Sequence, residues 1–464
     1  MQTKFEISKN VLARADTRMQ NESVKQLWTA FTFGTSQILP ETGDACRFVI
    51  GTPKLPTLAE NAEYAFLVDE NGAAIVGRDY PGLVRGYSAL LQKIEYEPET
   101  GKLFLASTEE QSAFRLARRM IHFCIFPETD LGQLRRYLRF CAVLGFTHAV
   151  LEFWGMLKYD CLAELAWEQA YTKEQVAKLL TEMREMGLEP IPMFNHLGHA
   201  SACRGASGKH VALDRNPSLY SLFTPDGWSW NLYNPKTREL LRAVRAELYE
   251  LYGEGEFFHA GLDESYMISS NREMFAQLPA HLHDLTYSIA AEGKRPMIWM
   301  DMFLPAEAYG DLHKHACANK SAEQCGEILA ALHPSTVLID WHYHADKAPV
   351  CTTTYYKDSG FDVMGAPWLS QSNGLAHIDT AAENGLFGTM QTTWHTLAPD
   401  FPGIYLFAQN FGATKAPWAS SSDLPSTCAT LLRKVAFEKL SYEQSGWWEN
   451  QIFLTPNDKS TYKN

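Results

Sequence analysis

From about residue 119 onward, short apolar runs alternate with longer segments of helical periodicity. Arg119–Phe126 reads as a strand and Leu131–Leu144 as a helix. The same alternation follows in Ala149–Trp154 and Lys173–Met186, Pro190–Asn195 and Lys236–Tyr252, and Phe257–Gly261 with a helical region to about Ala291. Met297–Phe303 precedes Cys325–Leu332, and Val337–Tyr343 precedes a short helix at Val350–Lys357. Asp362–Pro367 precedes Ala376–Asn384, and Phe387–Thr393 leads to a last helix, Thr427–Leu440. Eight strand–helix units in about 325 residues predict a closed parallel (β/α)₈ TIM barrel. An open doubly wound sheet is the alternative, but no Gly-rich phosphate turn follows the first strand.

Ahead of this rhythm, roughly the first 110 residues read as a small α/β accessory unit. Glu63–Val68 alternates as a strand, Asp69-Glu70-Asn71-Gly72 is a hairpin turn with positive φ expected at Asn-Gly, and Ala73–Val76 returns. Pro81–Leu91 has helical spacing, and Leu103–Ala106 is another strand. The polar stretch Ser107–Arg115 reads as the boundary. The division is therefore an accessory domain over 1–112 and a catalytic barrel with a C-terminal helix and tail over 113–464.

The chain has 464 residues, 46% hydrophobic and 20% charged, enough for a large core. Its net charge of −13 opposes binding to nucleic acid or anionic membranes. Nine cysteines lie scattered, without metal-type spacing. That usage, with no apolar core in the N-terminal segment, predicts a cytoplasmic protein. No run approaches 18 apolar residues, so no membrane span is expected. Neither a metal nor an organic cofactor is implied, and oligomeric state is not readable.

Barrel chemistry collects at the C-terminal strand ends. Those positions hold Glu152 and Trp154; Asn195, His196 and His199; Asp263 and Glu264; Trp299 and Asp301; Asp340, Trp341 and His342; Trp368; Trp394 and His395. The chain has 12 Trp, and several of them fall on this one rim. Indole faces stack on sugars, so the rim predicts a carbohydrate pocket. Within it, Asp263 and Glu264 are adjacent. Neighbours in a strand point to opposite sides, so both face the pocket only if the chain turns, which Gly261 permits. The competing reading is an acidic cap on the next helix.

The segment His259-Ala260-Gly261-Leu262-Asp263-Glu264 resembles the His-x-Gly-x-Asp-Glu signature of glycoside hydrolase family 20, the β-N-acetylhexosaminidases. Arg119–Phe123 is similar to that family's first barrel strand, which opens on a sugar-binding arginine. Leu188–His199 (LEPIPMFNHLGH) resembles its Gly-His strand, Met297–Asp301 (MIWMD) its strand-five Trp motif, and Trp394 the Trp of its last strand. Val150–Asp160 and Asn234-Pro235 are similar to the short forms related to hexosaminidase D.

The resemblance implies removal of a terminal β-GlcNAc or GalNAc with retention of configuration. Glu264 is then the general acid and later the base. The substrate's 2-acetamido oxygen is the nucleophile, giving an oxazolinium ion, and Asp263 holds the acetamido N–H. Substrate assistance of this kind replaces the usual second carboxylate. Trp299, Trp341 and Trp394 wall the acetamido group, and Arg119, His199, Asn195, Tyr343 and Trp368 complete the substrate site. The chain departs from the pattern at Asn195, where the family usually has Asp. It also lacks the strand-seven Tyr: that end reads Ala366-Pro367-Trp368-Leu369-Ser370, with Tyr343 as candidate substitute.

Three other readings stand beside this one. A metal-dependent barrel hydrolase would draw ligands from His196, His199, His342 and His344. A sugar-binding barrel without activity would need neither carboxylate. A glycosidase with separated carboxylates would pair Glu264 with Glu152 or Asp340.

Overall fold

The structure, a computed structural model, describes residues 3–41, 46–200, 216–309, 320–368, 370–394, 401–412 and 424–436. Eight parallel strands close a barrel in sequence order: β10 (Arg119–Cys124), β11 (His148–Glu152), β12 (Glu189–Met193), β13 (Phe257–His259), β14 (Arg295–Trp299), β15 (Val337–Asp340), β16 (Asp362–Gly365) and β17 (Gly388–Thr392). The ring closes where Arg119–His122 pair with Thr389–Thr392. Side-chain alternation explains the two cores. Met120, Val150, Met193, Met297, Ile339 and Met364 fill the barrel interior. Residues of opposite parity, such as Ile121, Phe123 and Leu338, pack outward under the helices.

Several barrel strands end earlier than the apolar runs suggest. β12 stops at Met193, β13 at His259, β14 at Trp299 and β15 at Asp340. The following residues leave the ladder to line the barrel mouth. The helices start on conventional caps. Thr172 and Gln175 form a reciprocal capping box on Lys173–Glu185, and the Asn234 side chain accepts from Lys236 ahead of Pro235–Tyr252, with Pro at the first helical position. Phe401–Ala408 is a further helix, and the last helix is Leu424–Lys434. Residues 437–440 of the expected last helix lie outside the described residues.

The N-terminal unit has a six-stranded sheet in the order β3 (Ile38–Pro40), β2 (Ala13–Ala15), β4 (Arg47–Gly51), β6 (Gly72–Gly77), β5 (Tyr64–Asp69) and β9 (Thr108–Gln111). A second sheet joins β1 (Lys4–Ile7), β8 (Lys102–Ala106) and β7 (Glu95–Glu97). Two expectations change here. The hairpin loop is Glu70–Asn71, with no positive φ at Asn71; the Asp69 carboxylate instead accepts the N–H groups of Asn71 and Gly72. Gly72 is needed because a Cβ there would lie 2.0 Å from the Ile50 carbonyl oxygen. The polar segment expected to separate the units contains β9, which pairs with β5 at the sheet edge and is polar because that edge faces water. Among the described residues no helix is long and apolar enough to cross a membrane.

Candidate active site

After β13 the backbone turns sharply. Gly261, Leu262 and Glu264 have φ values of 70°, 88° and 51°. Left-handed conformations in branched or long side chains cost on the order of 1–3 kcal/mol each and persist where surrounding contacts enforce them. Here the turn brings two sequence neighbours to one imidazole. His199 Nε2 lies 3.3 Å from Asp263 Oδ2 and 3.1 Å from Glu264 Oε2. His199 also has positive φ, 56°. The preceding Gly198 lets the two turns touch, since a Cβ there would fall 1.9 Å from the Asp263 carbonyl oxygen. Neither carboxylate caps a helix. Tyr266–Ser270 starts at Ser265 without a side-chain cap, and Arg272–Ala291 is capped by Asn271.

Glu264 is held from several sides. Tyr266 donates its hydroxyl to Oε1 at 2.7 Å, and Trp228 Nε1 donates to the Glu264 carbonyl oxygen at 2.7 Å. The Glu264 backbone N–H donates to Asp301 Oδ2 at 3.0 Å, and Trp341 Nε1 donates to Asp301 Oδ1 at 3.2 Å. One buried carboxylate thus joins the acid turn to the aromatic wall. Burial, and next the neighbouring Asp263 charge, hold the Asp301 carboxyl well above its ordinary range. Asp263 is 4% exposed, and its Oδ1 has no hydrogen-bond partner among the described residues. A buried carboxylate oxygen without a donor is an acceptor awaiting one.

The rim tryptophans form a continuous aromatic surface. Ring centroids lie 5.8 Å apart for Trp299 and Trp394, 5.3 Å for Trp341 and Tyr343, and 5.4 Å for Tyr343 and Trp368. Trp394 Nε1 donates to the Tyr343 hydroxyl at 2.7 Å, joining the two halves. Burial pushes the Tyr343 phenol well above its ordinary range, and the Asp263 and Glu264 charges push it in the same direction. The phenol therefore sits in the field of the carboxylate pair. Trp299 is fully buried, its Nε1 has no partner among the described residues, and His259 packs 4.7 Å from its ring.

Two sequence assignments stand differently in space. Arg119 is at the N-terminal end of β10, and its guanidinium points away from the strand ends that carry the carboxylates. It donates to Glu63 Oε1 at 2.8 Å, to the Leu116 carbonyl at 2.7 Å and to the Gly145 carbonyl at 2.9 Å. With 0% exposure and Phe114 against its face, it ties the N-terminal sheet to the barrel floor. From the same strand His122 reaches the aromatic wall, 4.8 Å from Trp394. Asn195 meets Glu152 rather than His199, donating from Nδ2 to Oε1 at 2.8 Å.

The groups named in the rival readings have partners of their own. His196 is buried between the Phe194 carbonyl oxygen (2.6 Å) and Arg245 (3.2 Å), and burial with the Arg245 charge lowers it to about 3. His342 contacts Thr352 at 2.8 Å. Among the described residues no group of three or more His, Cys, Asp or Glu could hold a metal ion. Asp340 is buried and accepts from Thr352 and Thr353, and Glu152 is buried between His122 and Asn195. His395 lies outside the described residues. Tyr266 and Trp228 went unnoticed in the sequence: Trp228 sits far from any strand end, and no motif marks a tyrosine two residues past Glu264.

No protein-family model matches the sequence, and no curated protein matches it. Solved structures do. One is an inactive mutant of a family-20 exo-β-N-acetylglucosaminidase from Vibrio harveyi, at 15% identity and TM-score 0.67, covering 94% of this chain and 75% of that one. Another is a β-N-acetylhexosaminidase from Bacteroides fragilis, at 12% identity and TM-score 0.64, covering 98% and 94%. A third is a mutant Streptomyces plicatus β-hexosaminidase in complex with its product GlcNAc, at 14% identity and TM-score 0.63, covering 96% and 93%. At these identities the likeness is one of fold; it covers nearly the whole chain, the N-terminal sheet unit together with the (β/α)₈ barrel.

Proposed function

We propose that the protein is a retaining exo-β-N-acetylhexosaminidase that works by substrate assistance. The observation that carries this reading is the left-handed turn that aims Asp263 and Glu264 at His199 and leaves Asp263 Oδ1 buried at the barrel mouth with no partner among the described residues. In this mechanism Glu264 gives its proton to the glycosidic oxygen. The acetamido oxygen of the bound sugar attacks C1 as the aglycon leaves. Asp263 Oδ1 accepts the acetamido N–H and stabilises the positive charge that spreads over the forming oxazolinium ring. Water, deprotonated by the same Glu264, then opens that ring with net retention. His199 and Tyr266 keep both Glu264 oxygens in place for the two steps.

Trp299, Trp341 and Trp394 enclose the acetamido group, excluding water and fixing the angle of attack. Tyr343 supplies the hydroxyl against the acetamido oxygen. It accepts from Trp394 Nε1. Trp368 extends the wall beyond Tyr343. The substrate is a glycan ending in β-linked N-acetylhexosamine, with no metal or cofactor. Among the described residues no disulfide joins two cysteines, which supports a reducing, cytoplasmic setting.

The test is hydrolysis of nitrophenyl β-GlcNAc, β-GalNAc and β-glucoside by the wild type, Asp263→Asn and Glu264→Gln. The reading expects turnover of an N-acetyl sugar only and a loss on the order of 10²–10⁴-fold in Glu264→Gln. Robust glucoside cleavage overturns it, because a glucoside has no internal nucleophile.

A further inference from the structure

Beneath the carboxylate pair lies a second, wholly buried polar group that the proposed reaction does not use. Glu152, the last residue of β11, is 0% exposed. Its Oε1 accepts from Asn195 Nδ2 at 2.8 Å, and its Oε2 faces His122 Nε2 at 3.2 Å. A carboxylate can only accept, so it fixes the Asn195 amide with nitrogen toward Glu152 and oxygen the other way. That oxygen abuts Gly261: a Cβ on Gly261 would lie 1.8 Å from it. His122, on the other side, packs at a tilt 4.8 Å from Trp394 and edge-on 6.2 Å from Trp299. One side chain therefore braces both the turn that carries Asp263 and Glu264 and the wall that faces them.

We propose that Glu152 is a positioning residue for the hydrolysis assigned above, and that it requires an amide at 195. This rests on the hexosaminidase reading. The Asn195 that departs from the resembling family has its reason here. An aspartate would oppose two carboxylates across a 2.8 Å contact in a buried site, where like charges repel strongly. The pair would part, displacing the Gly261 turn, or take up a proton, making the contact depend on pH.

A charge swap tests the pairing. Asn195→Asp places two acids together, whereas Glu152→Gln with Asn195→Asp restores one charge, one amide and both hydrogen bonds with the donor reversed. Glu152→Gln alone changes no heavy-atom position count and guards against a variant that fails to fold. Each single variant is expected to lose at least about tenfold in kcat on nitrophenyl β-GlcNAc, with KM within about threefold; the double variant should return to within about threefold of wild type. Thermal melting of the same four proteins, which needs no activity, should show the same rescue. A double variant no better than the worse single, or an Asn195→Asp with wild-type kcat and melting temperature, overturns the pairing. Wild-type inactivity on N-acetyl sugars would instead dismiss the hexosaminidase reading, and the melting cycle would still decide whether Glu152 needs its amide. Rescue of melting without rescue of kcat would leave the contact structural and refute the positioning role.

Discussion

Replacing Asp301 by asparagine keeps the shape of the side chain and removes one of its two acceptors. In the wild type, Oδ2 accepts the Glu264 backbone N–H at 3.0 Å and Oδ1 accepts Trp341 Nε1 at 3.2 Å. The amide has one oxygen, so one of these donors must face an NH₂ group. Asp301 is 1% exposed, and water cannot easily take its place. Leaving a buried donor unsatisfied costs about 1–3 kcal/mol. If that cost falls on the placement of Glu264, kcat drops by about 5- to 150-fold, at about 1.4 kcal/mol per decade. Steady-state kinetics on nitrophenyl β-GlcNAc, with melting temperature as a control for folding, provide the assay. Trp341→Phe deletes one of the competing donors. The double variant Asp301→Asn/Trp341→Phe should therefore lose less than the sum of the singles, with a coupling of at least about 0.5 kcal/mol. Wild-type kcat in Asp301→Asn, or strict additivity in the double, would refute the claim that this carboxylate connects turn to wall.

Other consequences follow from the same geometry. Gly261→Ala combines φ of +70° with a Cβ 1.8 Å from Asn195 Oδ1, so denaturant melts should show a loss of at least about 2 kcal/mol, together with loss of activity. Trp394→Phe removes the hydrogen bond to Tyr343, and kcat/KM for N-acetyl substrates should fall about 2- to 13-fold, the effect of about 0.5–1.5 kcal/mol. Burial lowers His148, His196 and His259 to about 3, helped by Arg118, Arg245 and His122 respectively. The unfolded chain binds protons there from about pH 6.5 downward while the folded chain refuses them. Stability from these groups is thus complete above about pH 6.5 and is lost toward pH 3, by up to about 1.4 kcal/mol per pH unit for each histidine. Urea titrations between pH 7 and 4 should show that slope.

The barrel is legible in the sequence because each strand–helix unit carries its own local period, and apolar runs such as Met297–Trp299 and Val337–Ile339 leave little choice. The N-terminal unit is harder. Ala13–Ala15 and Ile38–Pro40 are three-residue strands, too short to display alternation, and Thr108–Gln111 is polar because it lies at an edge. At the barrel mouth, the adjacent carboxylates and the Trp rim can be found from strand position plus the His-x-Gly-x-Asp-Glu resemblance. Strand position does not pick out Arg119, which lies at the start of its strand; only the resemblance names it. Asp301 was visible as a rim residue, but not its two hydrogen bonds. Tyr266 and Trp228 reach Glu264 only after the chain has turned through positive φ, a conformation that no periodicity announces.

The claim that the sugar's own acetamido group is the nucleophile is tested most directly by weakening that group. Nitrophenyl β-glycosides with N-acetyl and N-trifluoroacetyl substituents have the same leaving group and nearly the same shape. Fluorine draws electrons from the amide and makes its oxygen a poorer nucleophile. The account predicts that kcat falls by at least about tenfold in the trifluoro substrate, which is about 1.4 kcal/mol of added barrier. Equal turnover of the two substrates would contradict it and return the nucleophile to the protein.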